Sequence, residues 1–348
     1  MTDLDEALER FQARGFEFGG GLSNHGPMAA EALLQLGHPA LLSGFVEVYE
    51  PRLGPKEPGR WIPKADRAAA LGRSERLGDW RATFEREIAE GDWREVVQRG
   101  TALLADGFFA AGTHGALRLA HAVRAADENP TTPRLREVAF GLAYWAGCYQ
   151  VLPGRPGRDP RAGRGPRRVL SETTVVDSER RRAGFFTDTV HVLDEDPVFT
   201  QNIENMDLGD IDLSSFLGEL CRESARLYLE NPQSRIAYVH ALTAPSAVRL
   251  LASCLDVETR VRVAGRALQA ASALHAVSGG DCSPALADEV QQIAEDPALI
   301  RYRAACSLDE HAIKFSEACL REDALRPDPI FRLAAADAAV NLQGSALC

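Results

Sequence analysis

Apolar residues recur at three- and four-residue spacing along most of the chain, the period of helices with one buried face. The pattern predicts helices over residues 4–13, 27–36, 80–89, 93–104, 114–126 and 132–151. It resumes over 213–229, 236–254, 257–277, 285–293, 310–320 and 329–341. Strand-like alternation is confined to residues 187–193, where a short strand stays open. Ser23-Asn24-His25-Gly26-Pro27 reads as a helix start, because proline lacks the N–H that a first turn leaves unpaired anyway. The fold class expected is all-α: one large multi-helix bundle, alternatively two helical halves sharing a core. No fixed-period repeat argues for a solenoid.

Residues 153–168 interrupt the pattern with closely spaced proline, glycine and arginine, too many breakers for a helix. A solvated, mobile crossover loop is expected there. The chain has 348 residues, long for one domain, yet no segment is foreign enough in composition to separate. A single domain over 1–348 is therefore expected. With 45% hydrophobic and 26% charged residues it can bury a substantial core.

A net charge of -11 argues against nucleic acid and anionic membrane as partners, since both demand a cationic surface. The first residues lack the basic start and apolar run of a signal peptide, and Arg249 interrupts the apolar stretch 247–255. The expectation is a soluble cytoplasmic protein with small-molecule or protein partners. Its seven cysteines include no Cys-x-x-Cys pair, so neither a disulfide framework nor a zinc ribbon is indicated.

Candidate chemistry rests on eight histidines: 25, 38, 114, 121, 191, 240, 275 and 311. His25 precedes a proline-started helix, and His114 lies between Gly112-Thr113 and Gly115, small neighbours expected to leave room beside its ring. His114 and His121 share a helix face but stand about 10.5 Å apart along the axis. They can hold one ion only by converging from above and below, with metal to nitrogen distances of about 2.1 Å. His240 is followed by Pro245, expected to bend or loosen its helix. Asp309-Glu310-His311 and Lys314 place acid, imidazole and amine on neighbouring turns. The plain reading is a surface helix with a Glu310 to Lys314 pair worth about 0.3 to 0.5 kcal/mol. His38, His191 and His275 have no comparable context.

Together these segments resemble the questin oxidase-like family, whose members include enzymes that oxidatively open anthraquinone rings. The resemblance rests on Ser23 through Glu31, on Leu77-Gly78-Asp79-Trp80 with Phe84, and on Thr113-His114-Gly115 through His121-Ala122-Val123-Arg124. His240-Ala241-Leu242-Thr243 and Asp309-Glu310-His311 with Lys314 complete it, in the same order and with similar long spacings. It implies a mononuclear non-haem Fe(II) site ligated at His25, His114, His121 and His240, completed by Lys314. An ammonium cannot bind a cation, so Lys314 would have to be deprotonated by burial and preferably carbamylated.

The implied enzyme is an oxidoreductase: an iron-dependent oxygenase that uses dioxygen to cleave, or insert oxygen into, the ring of an aromatic polyketide, quinone or hydroquinone. Arg118 is a candidate for orienting a substrate oxygen, and Thr243, Asp309 and Glu310 for hydrogen bonds to the non-ligating imidazole nitrogens. His311 stays open between a further site residue and a proton carrier. Phe108, Phe109, Tyr144 and Trp145 are candidates for an aromatic pocket wall.

Three other readings make different demands. A monooxygenase of Baeyer–Villiger type would draw electrons from NADPH or a flavin, yet no strand leads into Gly-x-Gly-x-x-Gly. A zinc hydrolase would use similar ligands. A non-enzymatic helical interaction scaffold would leave the histidines scattered.

Overall fold

The computed structural model describes residues 3–280 and 286–342. They form eighteen α-helices joined by short 3-10 turns, with one two-stranded hairpin, Glu17–Phe18 paired antiparallel with Leu22–Ser23. The protein is all-α. One hydrophobic core runs from Leu4 to Leu342 and draws on nearly every helix. No helix among the described residues is long and apolar enough to cross a membrane.

Four helices position the site: Gly26–Gln35, His114–Glu128, Arg235–Leu250 and Glu310–Leu325. Each is buried along most of its length, so polar groups on it face protein instead of water. The His114 helix lies closely along Thr132–Gly147, for a reason written in two glycines. A Cβ on Gly115 would stand 2.5 Å from Trp145 Cα, and one on Gly141 would stand 2.5 Å from Leu119 Cα. Gly115 thus makes room for a neighbouring backbone, where space beside the His114 ring was expected.

Pro245 does not break Arg235–Leu250. A proline there cannot donate to the Ala241 carbonyl one turn back. Ser224 supplies the missing donor, its hydroxyl lying 3.0 Å from that oxygen. The helix therefore stays continuous through a residue expected to loosen it.

Several boundaries differ from the sequence pattern. Leu42–Tyr49 and Pro297–Cys306 are additional helices, the first only eight residues long and the second with a weak apolar period. Residues 187–193 contain no strand; Phe186–Thr189 and Val190–Leu193 are helical turns. The helix expected from residue 285 runs Asp288–Ala294, and residue 285 lies outside the described residues.

The crossover at 153–168 is docked, not a free linker. Gln269 Nε2 donates to the carbonyls of Leu152, Pro153 and Gly154. Backbone N–H groups of Gly157, Asp159 and Arg161 donate to Ile203, Glu204 and Asn205. The buried guanidinium of Arg164 joins Glu172 and Asn202. A new helix, Pro166–Ser171, begins inside the segment. Breakers prevent a helix, but side chains from elsewhere satisfy the backbone they expose.

Candidate metal centre

His25 caps the start of Gly26–Gln35, His114 is the first residue of its helix, and His311 is the second of Glu310–Leu325. His240 projects from the middle of Arg235–Leu250. Two of these imidazoles are delivered by unusual backbone. Ala111, Gly112 and Thr113 all have positive φ, at 49°, 63° and 79°, and Leu308 follows suit at 51°. Left-handed geometry at a non-glycine residue costs roughly 1–3 kcal/mol and is costliest for a β-branched one such as Thr113. Of the four non-glycine residues with positive φ among the described residues, three lie just ahead of His114 or His311.

The rings converge. Centroids of His25 and His114 lie 4.5 Å apart, His25 and His311 4.6 Å, His114 and His240 4.4 Å, and His240 and His311 5.9 Å. Ligand atoms of His25, Glu310 and His311 all lie within 4.8 Å of one another. Lys314, one turn beyond Glu310, is only 2% exposed. Its charge is felt by all four imidazoles.

Burial is the main reason every one of these imidazoles is neutral. It holds His114 down to about 3 and depresses His25, His240 and His311 far below the usual range, with the Lys314 charge adding to the effect. Burial also lowers the Lys314 amine to about 8, against the opposing pull of Glu310 and Asp309. Glu310 moves upward, through burial and then the Asp309 charge. The four imidazoles therefore offer lone pairs instead of positive charge, the state a cation requires, while Lys314 must still lose its proton to join them.

Five nitrogens at this spot are buried without a hydrogen-bond partner: His25 Nδ1, His114 Nε2, His240 Nδ1, His311 Nδ1 and Lys314 Nζ. Each such orphan costs roughly 1–3 kcal/mol. A bound cation would satisfy several at once, and imidazole nitrogen suits iron, zinc, copper and nickel alike. The His114 ring is already oriented for this, since its Nδ1 lies 2.5 Å from the Ala111 carbonyl and leaves Nε2 free. The residues present fit a metal ion.

The expected ligand set needs one exchange. His121 makes no ring contact with another histidine among the described residues; its Nδ1 donates to Glu31 Oε2 at 2.7 Å. Seven helical residues carry it too far from His114, and Glu31 claims it. His311 stands where His121 was expected. Arg118 is also placed elsewhere: it is 1% exposed, donates from Nε to Glu137 at 2.6 Å, and has its guanidinium near the rings of Phe16 and Phe140. Thr243 Oγ1 donates to the Val239 carbonyl one turn back and reaches no imidazole.

Other candidates resolve just as concretely. Lys314 and Glu310 do not form the expected surface pair, since both are buried and Glu310 faces Arg52 at 3.4 Å. Asp309 caps its helix by accepting from the backbone N–H groups of His311 and Ala312. Trp145 packs edge-on against Phe108 and donates to the Gly107 carbonyl, while Tyr144 bonds Ser23 and Glu17. Those rings are core and hydrogen-bonding groups; Phe186 instead packs against the cluster, 5.7 Å from His240. His38, His191 and His275 neighbour Tyr302, Asp194 and Tyr238.

Sequence reasoning overlooked Phe186, Tyr49 and Arg52. Tyr49 accepts from the His25 backbone N–H at 2.8 Å, and Arg52 lies over the rings of Phe18 and Tyr49. No motif marks them, because packing alone brings them here. Two open surface clefts, about 710 Å³ between Gly163 and Phe331 and about 800 Å³ between Asp159 and Asn205, include none of the converging histidines. Convergent, unpartnered donors are the better guide to chemistry than cleft size. No family model and no curated protein matches this chain.

Proposed function

We propose that the protein is a mononuclear non-haem iron oxygenase of the questin oxidase-like kind, acting on an aromatic quinone or hydroquinone. One observation carries the reading: four neutral imidazoles and a buried amine meet with unpartnered nitrogens. That convergence counts against a scaffold. Iron held by His25, His114, His240, His311 and Lys314 would supply the redox centre that lets dioxygen react with an electron-rich ring.

The chain's own residues prepare that site. Burial keeps the imidazoles neutral and excludes bulk water. Lowered to about 8, the Lys314 amine loses its proton more readily than a free lysine, and in that form it can add to carbon dioxide, forming an N–C bond and releasing a second proton, which makes it an anionic oxygen donor. Glu310 and Arg52 balance charge beside His25, from which Glu310 Oε1 is 3.9 Å away. Phe186 offers an apolar face next to His240 for a flat substrate.

Anaerobic reconstitution with Fe(II), metal analysis, and an oxygen-uptake screen of reduced anthraquinones test the proposal. One iron per chain is expected, with loss of metal in His114→Ala, His311→Ala and Lys314→Ala. Unchanged metal content in all three would falsify the site. Zinc without oxygen uptake would support a hydrolase, and stoichiometric flavin or a strict NADPH requirement without iron would support the monooxygenase alternative. Omitting bicarbonate and carbon dioxide during reconstitution should lower iron retention if Lys314 is carbamylated.

A further inference from the structure

The four ligand-bearing helices are joined a second time, roughly two turns from the imidazoles, by a chain of alternating charges whose carboxylates are buried and whose arginines are partly so. Glu31, on the His25 helix, accepts from His121 Nδ1 at 2.7 Å and from Arg124 Nε and Nη2 at 2.7 and 2.5 Å, both residues being on the His114 helix. Arg124 Nη1 donates to Glu317 Oε1 at 2.6 Å, on the helix of His311 and Lys314. Glu317 also accepts from Arg321, whose Nη1 donates to the backbone and hydroxyl oxygens of Ser246 on the His240 helix. The Ser246 hydroxyl donates to Glu322, which Arg249 closes off.

Buried ion pairs are a poor source of net stability, since desolvation offsets much of their attraction. They are good at specifying register, because short charge-assisted bonds tolerate little sliding. A one-residue slip along any of these helices is about 1.5 Å. It would break the chain of charges and carry a ligand nitrogen well outside the roughly 0.2 Å tolerance of a metal bond.

We propose that His121 and Arg124 are positioning residues: through Glu31 and Glu317 they set the relative heights of the four helices so that the metal-binding nitrogens converge. The inference rests on the metal-site reading above. It gives His121 a role in the same centre without making it a ligand.

Cobalt(II) binding to the full chain tests it, read as a dissociation constant and as the d–d absorption spectrum. His121→Phe removes the donor to Glu31, and His121→Asn restores an N–H near the Nδ1 position. Tyr228→Phe, which loses a hydrogen bond to buried Asp337 away from this chain of charges, is the control for general destabilisation. His121→Phe is expected to weaken cobalt binding about 10- to 100-fold, as changes to groups that hold ligands do, and to alter the spectrum. His121→Asn should recover most of the affinity, and Tyr228→Phe should leave both readouts unchanged.

Wild-type affinity and spectrum in His121→Phe would overturn the proposal, as would equal losses in His121→Phe and Tyr228→Phe. Complete loss of stoichiometric cobalt in both His121 variants would make His121 a ligand instead. If His121→Phe does not fold, Arg124→Lys takes its place with the same expected loss. Failure of the wild-type chain to bind cobalt would instead reject the metal-site reading itself, an outcome separable from the behaviour of the variants.

Discussion

At the residue scale, the costliest backbone in the protein delivers its most reactive groups. Thr113, buried and β-branched, holds a left-handed conformation one residue before His114. Thr113→Gly should relieve that strain, roughly 1–3 kcal/mol, while losing a packed methyl and hydroxyl. We expect little net change in urea stability but a severalfold weaker metal affinity, since the turn would no longer hold the ring in one place. A loss of stability above about 3 kcal/mol would show that Thr113 matters by packing alone.

His275 supplies a pH dependence outside the proposed ligand set. Burial, and then the Arg226 charge, holds it down to about 4 from an unfolded value of 6.5. Above 6.5 both states are neutral and it has no effect. As pH falls toward 4 the unfolded chain takes up the proton first, so folding stability is lost across that window, at up to about 1.4 kcal/mol per pH unit. His275→Gln should flatten the fall in thermal midpoint between pH 6.5 and 4; an unchanged slope would exclude this origin.

At the scale of elements, helix contacts depend on small groups whose value is invisible in the periodicity. Gly115 lets the His114 helix approach the Trp145 backbone, so Gly115→Ala must push the two apart or distort one of them. A loss of about 1–3 kcal/mol is expected by chemical denaturation, together with weaker metal binding, because His114 is the adjoining residue. Ser224→Ala would strip the Ala241 carbonyl of its donor opposite Pro245 and should cost about 1–3 kcal/mol. Neither dependence could be found from one segment alone, since each is a property of two helices in contact.

At the scale of the whole molecule, a single large core gives the fold a source of stability other than the proposed metal. Chelation should leave the helical circular dichroism intact and lower the thermal midpoint by a few degrees, the size expected from about 2.7 kcal/mol of ligand stabilisation at a free metal concentration 100 times Kd. Collapse of helicity on chelation would contradict this. The sequence by itself determined the helical class, most helix positions and the identity of the chemical groups, because apolar period, proline position and residue type act over a few neighbours. Tertiary structure alone decided which groups meet. His121 and His311 were both available, but face and spacing along one helix say nothing about the partner that helix will be packed against. Packing set His311 beside His25 and gave His121 to Glu31. It also docked the breaker-rich crossover through Gln269 and buried Lys314 deeply enough to lower its amine. Burial, hydrogen-bond partners and ionisation depend on atoms distant in the chain, and only the folded arrangement contains them.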